Sequence, residues 1–160
     1  MVALRRMNSA EYEAWASNAV TGYAEDKVAS GQWSQEESLE LSRREHQELL
    51  PQGLASAGNH LFKILATSGD SVGDLWFAEA MKFGQPIAYV YNVEIAPEHR
   101  RKGYAYQALQ ALEQEIRGLG LQGVALHVFG HNQAARALYA KLGYEPTNIN
   151  LFKRLPAADA

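Results

Sequence analysis

The chain has 160 residues, 47% of them hydrophobic and 21% charged, with a net charge of −3 and no cysteine. That balance predicts one soluble globular unit able to bury its own core, and it excludes a disulfide scaffold, a catalytic or acyl-carrying thiol and a thiolate metal centre. It also argues against a broad nucleic-acid footprint, which needs positive charge clustered over a face.

No apolar run reaches the roughly 18 residues of a membrane-spanning helix. The opening MVALRRMNS lacks the apolar core of a signal peptide, so a cytoplasmic protein is expected.

Val2 to Met7 reads as a short first strand. Asn8 or Ser9 caps a helix beginning near Ala10, with Glu11 in the first turn, where peptide dipoles favour negative charge. Tyr12, Trp15, Ala16, Ala19 and Tyr23 recur at helical spacing until Gly31. Ser34-x-x-Glu37 has the form of a capping box and opens a second helix, which Pro51 and Gly53 end. These helices carry many acids, among them Glu25, Asp26, Glu40, Glu45 and Glu48. The simpler reading makes the aromatics core and the acids a solvated face. The other has some of the acids attracting a cationic amine.

His60 to Thr67 alternates as a strand, Ser68-Gly69-Asp70 turns, and Ser71 to Met81 is another strand, with Gly73 the candidate for a bulge. Lys82 to Pro86 closes a hairpin into a central strand, where the register Tyr89, Tyr91, Val93, Ile95 places apolar groups on one face. Pro97 ends the pairing, having no N–H to donate. After Arg100, Arg101, Lys102 and Gly103 comes a helix with the stripe Ala105, Ala108, Leu109, Leu112, Ile116, closed by Gly118 and Gly120. Val124 to Phe129 is a buried parallel strand. Asn132 caps the last helix, Gln133 to Leu142, and Tyr144 to Arg154 supplies a final strand or strands. Residues 1–155 are expected to form a single domain, with 156–160 a flexible tail. The fold class is mixed α/β (α+β), with an antiparallel hairpin region and a right-handed parallel βαβ crossover.

The basic turn has a chemical reading. A helix start leaves several amides without partners at the positive end of the dipole, and both favour an anion. Gly103 lets backbone approach a ligand closely, and Arg100, Arg101 and Lys102 add charge. Taken alone, the turn is equally an ordinary strand-to-helix connection with a solvated basic cluster.

The spacing Arg100-x-x-Gly103-x-Ala105 resembles the acetyl-CoA pyrophosphate motif of the GNAT superfamily of N-acetyltransferases, Q/R-x-x-G-x-G/A. About thirty residues on, LHVFGHNQAARALYAKLGYEPTN (Leu126 to Asn148) resembles that family's second motif, a strand followed by Asn, Ala, Leu-Tyr and Leu-Gly-Tyr. Two motifs in order carry more weight than either alone. The resemblance spans roughly Ser71 to Lys153, and Ala105 stands where many members have Gly.

The resemblance implies a mainly antiparallel central sheet with a splayed parallel strand pair, flanked by about four helices. It implies acetyl-CoA as co-substrate, an amine acceptor (small molecule or protein amine) and direct transfer in a ternary complex. Val93 and Ile95 correspond to the backbone that binds the pantetheine arm, and Arg100, Arg101, Lys102, Gly103, Tyr104, Ala105 and Tyr106 to the diphosphate cradle. Asn132 corresponds to the motif asparagine, a pantetheine ligand or simply an N-cap. Tyr139 matches the tyrosine near the cofactor sulfur, its alternative being a core aromatic. The two N-terminal helices correspond to the region over the acceptor pocket.

An alkyl ammonium has a pKa of about 10.4, so the acceptor must shed a proton. Glu94, opposite Val93 and Ile95 on a regular strand, is the candidate relay through water; otherwise it is a polar strand-end residue paired with an arginine. His127 and His131 straddle a strand and a loop with no third ligand nearby, so no metal site is expected. There is neither G-K-[ST] nor G-x-G-x-x-G. The alternative function is a non-catalytic acyl-CoA-binding or sensor module on the same fold. Oligomeric state is open, a homodimer included.

Overall fold

The computed structural model describes residues 1–159. The elements run β1 (Ala3–Arg6), α1 (Ser9–Ala29), α2 (Ser38–Leu49), β2 (Asn59–Leu65), β3 (Ser71–Lys82), β4 (Gln85–Ile95), α3 (Tyr104–Gly118), β5 (Val124–Leu126) and α4 (Gln133–Lys141). The strands form one five-stranded sheet in sequence order. β1 to β4 pair antiparallel and β4 pairs β5 in parallel, the mixed α/β arrangement expected.

Local chemistry explains most of the boundaries. Asn8 caps α1 with a complete capping box, its side chain accepting from the Glu11 amide while Glu11 accepts from the Asn8 amide. The β3–β4 hairpin turns on Phe83 and Gly84, both at positive φ (54° and 73°), with Lys82 opposite Gln85. This is the two-residue turn whose twist matches the flanking strands. The Ser34–Glu37 turn forms, but the regular helix α2 begins only at Ser38.

The sheet buries both faces. One is covered by α3, whose Ala108, Leu109, Leu112 and Ile116 pack on Ile64, Val72, Leu75, Phe77, Ala88, Val90 and Ile95. The other meets α1 through a smaller cluster of Met7, Trp15, Leu50, Leu61 and Trp76.

Four expectations need correction. β4 is not one regular register: Phe77 pairs with Val90 and Trp76 with Asn92, so Tyr91 is an extra residue in a β-bulge. Parity therefore changes, with Ala88 and Val90 facing α3 before the bulge and Val93 and Ile95 after it. Tyr89 and Tyr91 lie on the opposite face, where Tyr91 stacks on Trp76 at 4.6 Å.

The irregularity in β3 falls at Val72, which Ile64↔Gly73 and Leu65↔Ser71 skip over. Gly73 stays in the ladder opposite Ile95, and the approach is so close that a Cβ there would meet the Glu94 carbonyl oxygen at 2.2 Å. β5 stops at Leu126 rather than Phe129, since β4 turns away beyond Val90. Residues 144–154 form no strand: they leave α4 exposed and do not pair with the free edge of β5.

Candidate active site

The parallel pair holds together only from Ala88↔Val124 to Val90↔Leu126. The next residue of β4 is the bulged Tyr91, so the strands part where the ladder is broken. The Ala96 amide donates to the Val72 carbonyl on β3 (2.9 Å). Backbone groups alternate along a strand. Val93 and Ile95 therefore turn their amides and carbonyls to the side that β5 has left, opening a gap in which the Ile95 carbonyl is taken by Arg100 and, among the described residues, the other three groups have no backbone partner.

The gap leads to the start of α3. Gly103 is its N-cap in the left-handed region (φ 81°), and no side chain caps the helix. The first bond into the helix runs from the Gln107 amide to the Gly103 carbonyl. Among the described residues, the amides of Tyr104, Ala105 and Tyr106 have no acceptor in the chain. A Cβ on Gly103 would meet nothing closer than Gln107 Nε2 at 3.9 Å, so the turn stands open.

The three cations of the turn are placed differently. Arg100 is committed to its own chain: Nε donates to the Ile95 carbonyl (2.9 Å) and the guanidinium lies 3.7 Å from Glu94. Arg101 and Lys102 are exposed and form no ion pair among the described residues. Arg101 holds a positive φ of 64°, a conformation disfavoured for a side chain with a Cβ.

Tyr139 and Asn132 sit on α4. Tyr139 packs half-buried against the α3-side core, with its ring 5.5 Å from that of Tyr144. Burial raises its phenol above the ordinary value, so it remains a proton donor. Asn132 caps α4, accepting from the Ala135 amide at 3.1 Å, which leaves its side-chain NH₂ free to donate elsewhere.

Glu94 lies across the sheet from Val93 and Ile95, as a locally regular strand requires. It borders a cavity of about 320 Å³ lined also by Trp15, Asn18, Gly73 and the Lys63–Asp74 ion pair. The diphosphate and sulfur candidates are thus associated with the α3 face, and the base candidate with the α1 face.

An aromatic cluster that meets the cavity only through Trp15, whose ring lies 5.4 Å from that of Trp76, was not legible in the sequence. Trp76 stacks on Tyr91 and lies 5.9 Å from His46; Tyr23 lies 5.6 Å from His46 and 6.5 Å from Phe129. Burial, followed by a hydrogen bond with Glu45, pushes the Tyr23 phenol well above its usual range. The Tyr89-x-Tyr91 alternation was the available signal, but the unseen bulge assigned both residues to the wrong face. His127 and His131 flank Phe129, and no metal-holding group of three His, Asp or Glu side chains occurs among the described residues.

The Acetyltransferase (GNAT) family model matches residues 22–144, the stretch that contains the parted strands, the open turn and α4. The chain belongs to the GNAT acetyltransferase family. It is 36% identical to the uncharacterized N-acetyltransferase YycN of Bacillus subtilis over 96% of this chain and 99% of that protein. It is 35% identical to YdgE, another uncharacterized N-acetyltransferase of that organism, over 95% and 97% respectively. The crystal structure of YycN superimposes with a TM-score of 0.93, covering 98% of this chain and all of that one. This GNAT protein is accordingly an acyltransferase of the N-acetyltransferase type, in a family that generally uses acetyl-CoA.

Proposed function

We propose that residues 1–155 form one catalytic unit that moves an acetyl group from acetyl-CoA directly to a primary amine in a ternary complex. The observation that carries this reading is the parting of β4 from β5 after Val90 and Leu126. It exposes backbone within the plane of the sheet, with Tyr139 packed on the α3 side and Glu94 at the cavity on the other.

Acetyl-CoA brings an activated acyl carbon on a thioester. The free amides of Tyr104, Ala105 and Tyr106, with Gly103, Arg101 and Lys102, suit its diphosphate. Arg100 braces that turn against the strand end. Val93 and Ile95 pair their backbone with the pantetheine amides, and Asn132 adds its free NH₂. In this reading the Val93 amide polarises the thioester carbonyl, a contribution of about 2.7–4 kcal/mol for a well-aimed donor. Glu94 accepts the ammonium proton through water. The neutral amine attacks the carbonyl carbon, the C–S bond breaks and Tyr139 donates its proton to the departing thiolate; the second proton, which the nitrogen sheds as the amide forms, passes through water to restore the phenol.

Trp76, Tyr91, Tyr23 and His46, with Glu45 at the Tyr23 phenol, suit a cationic acceptor, since aromatic faces and a carboxylate both attract an ammonium group.

The test is free-thiol release from acetyl-CoA with a panel of diamines, amino sugars and peptide N-termini. Thiol appearing with an equal amount of N-acetylated amine supports the reading. Calorimetric binding of acetyl-CoA with no thiol release for any amine contradicts it and favours a sensor.

A further inference from the structure

One polar atom where the strands part has nothing to bond to. Asn92 Oδ1 is shut off from solvent and accepts no hydrogen bond among the described residues. A buried acceptor without a donor costs stability, so its presence calls for a reason.

The bulge sets its position. Trp76 pairs with Asn92 and Phe77 with Val90, so Tyr91 and Asn92 together oppose Trp76. Trp76 belongs to the cluster on the α1 face, and residues paired across strands share a face. Asn92 therefore stands on the α1 face, as Glu94 does two residues on. It directly precedes Val93, whose backbone turns to the gap.

The donors nearby are committed elsewhere. The Trp76 indole N–H, opposite Asn92, donates to Asn59 Oδ1 at 2.8 Å. His46 Nδ1 lies 2.9 Å from the Ser42 carbonyl and so donates to it. Lys63 is held by Asp74, and Arg100 Nε by the Ile95 carbonyl. Asn92 as a whole is only partly buried. The last torsion of an amide side chain is soft, so a turn about it brings the oxygen to the mouth of the gap.

On the reading of this gap as an acetyl-transfer centre, we propose that Asn92 Oδ1 accepts one N–H of the acceptor amine and thereby selects primary over secondary amines. A primary amine that has lost its ammonium proton carries two N–H bonds and one lone pair. One N–H bonds to Asn92, which leaves the lone pair to attack the thioester carbon. The other hydrogen is shed as the C–N bond forms and the C–S bond breaks. The hydrogen on Asn92 stays with the nitrogen and becomes the N–H of the product amide, so Asn92 neither takes nor gives a proton. A secondary amine must shed its single N–H, and the product leaves Oδ1 unpaired again. Residues two apart on a strand are separated by about 7 Å, so an amine bonded to Asn92 reaches Glu94 through water.

The test uses 1,4-diaminobutane, glucosamine and a peptide beginning in alanine, each beside its N-methylated counterpart. Free-thiol release is measured in the parent, in Asn92→Leu, which is close in shape and has no polar atom, and in Asn92→Ala, which adds no bulk. The parent is expected to favour the primary amine by about tenfold or more in kcat/KM, as a site built to bond an N–H does. Both variants should lose that preference with KM for acetyl-CoA unchanged, while Asn92→Asp, which keeps the oxygen, retains it. A preference undiminished in the two variants is steric and overturns the proposal. So does a melting temperature well below the parent's in both, since the oxygen would then be bonded within the fold. Thiol released equally from primary and secondary amines by the parent overturns this inference alone; no thiol with any primary amine overturns the reaction and this inference with it.

Discussion

Arg100 Nε and the carbonyl oxygen of Ile95 are hydrogen-bonded at 2.9 Å, and this bond fixes the basic turn to the end of β4. With Glu94 3.7 Å from the same guanidinium, Arg100 is expected to act chiefly as a brace. Arg100→Ala is expected to destabilise the fold by about 1.5 kcal/mol, the lower end for a hydrogen bond to a charged group, since the side chain is half exposed. KM for acetyl-CoA should rise more than kcat falls. Thermal unfolding and steady-state kinetics check both effects.

Arg101 should behave in the opposite way. It has no ion-pair partner among the described residues and holds a left-handed conformation that costs about 1–2 kcal/mol for a residue with a Cβ. Arg101→Gly removes the charge and the strain together. The melting temperature should stay level or rise while KM for acetyl-CoA increases several-fold; a fall in both stability and affinity would give Arg101 a bracing role instead.

Gly73 sets how closely β3 approaches β4 beneath Glu94. An added Cβ would sit 2.2 Å from the Glu94 carbonyl oxygen, and backbone cannot yield as a flexible side-chain tip can. Gly73→Ala is expected to cost about 3 kcal/mol, the upper range for overpacking, and to lower turnover by displacing Glu94. Gly118→Ala, at a helical position with nothing within 4 Å, should leave stability equal or improved. Denaturant unfolding of the two variants makes the comparison.

Much of this site was legible before any coordinates. Asn8 and Glu11 announce a helix start because both ends of the capping box lie within one turn. The α3 stripe and Gly103 are equally local, and they mark the open helix start. The bulge at Tyr91 was hidden, since a two-against-one count exists only once Trp76 is known to lie opposite. With it went the faces of Tyr89 and Tyr91, and so the aromatic cluster. The strand predicted over Tyr144 to Arg154 does not form: alternation at Ile149 and Leu151 states a capacity to pair, and the segment leaves the free edge of β5 unpaired.

Tyr139 gives a prediction in pH as well as rate. Burial holds its phenol above 10, so it stays protonated across the neutral range. Tyr139→Phe should lower kcat by about 10²-fold, the size of one general acid, with acetyl-CoA affinity nearly unchanged. A folded-state value above the unfolded one stabilises the protein below pH 10, and that stabilisation is lost as pH climbs through the folded value. Tyr144, pushed up to about 12 mainly by burial, adds in the same direction. Alkaline denaturation should therefore be shallower in Tyr139→Phe than in the parent, with the remaining slope due in part to Tyr144.

The most direct measurement is a crystal structure of the chain with acetyl-CoA. The expected result puts the diphosphate within hydrogen-bond distance of the Tyr104, Ala105 and Tyr106 amides, the pantetheine arm against Val93 and Ile95, and the sulfur beside the Tyr139 hydroxyl. Acetyl-CoA bound elsewhere, with the gap beyond Val90 and Leu126 closed by protein side chains, would contradict the account.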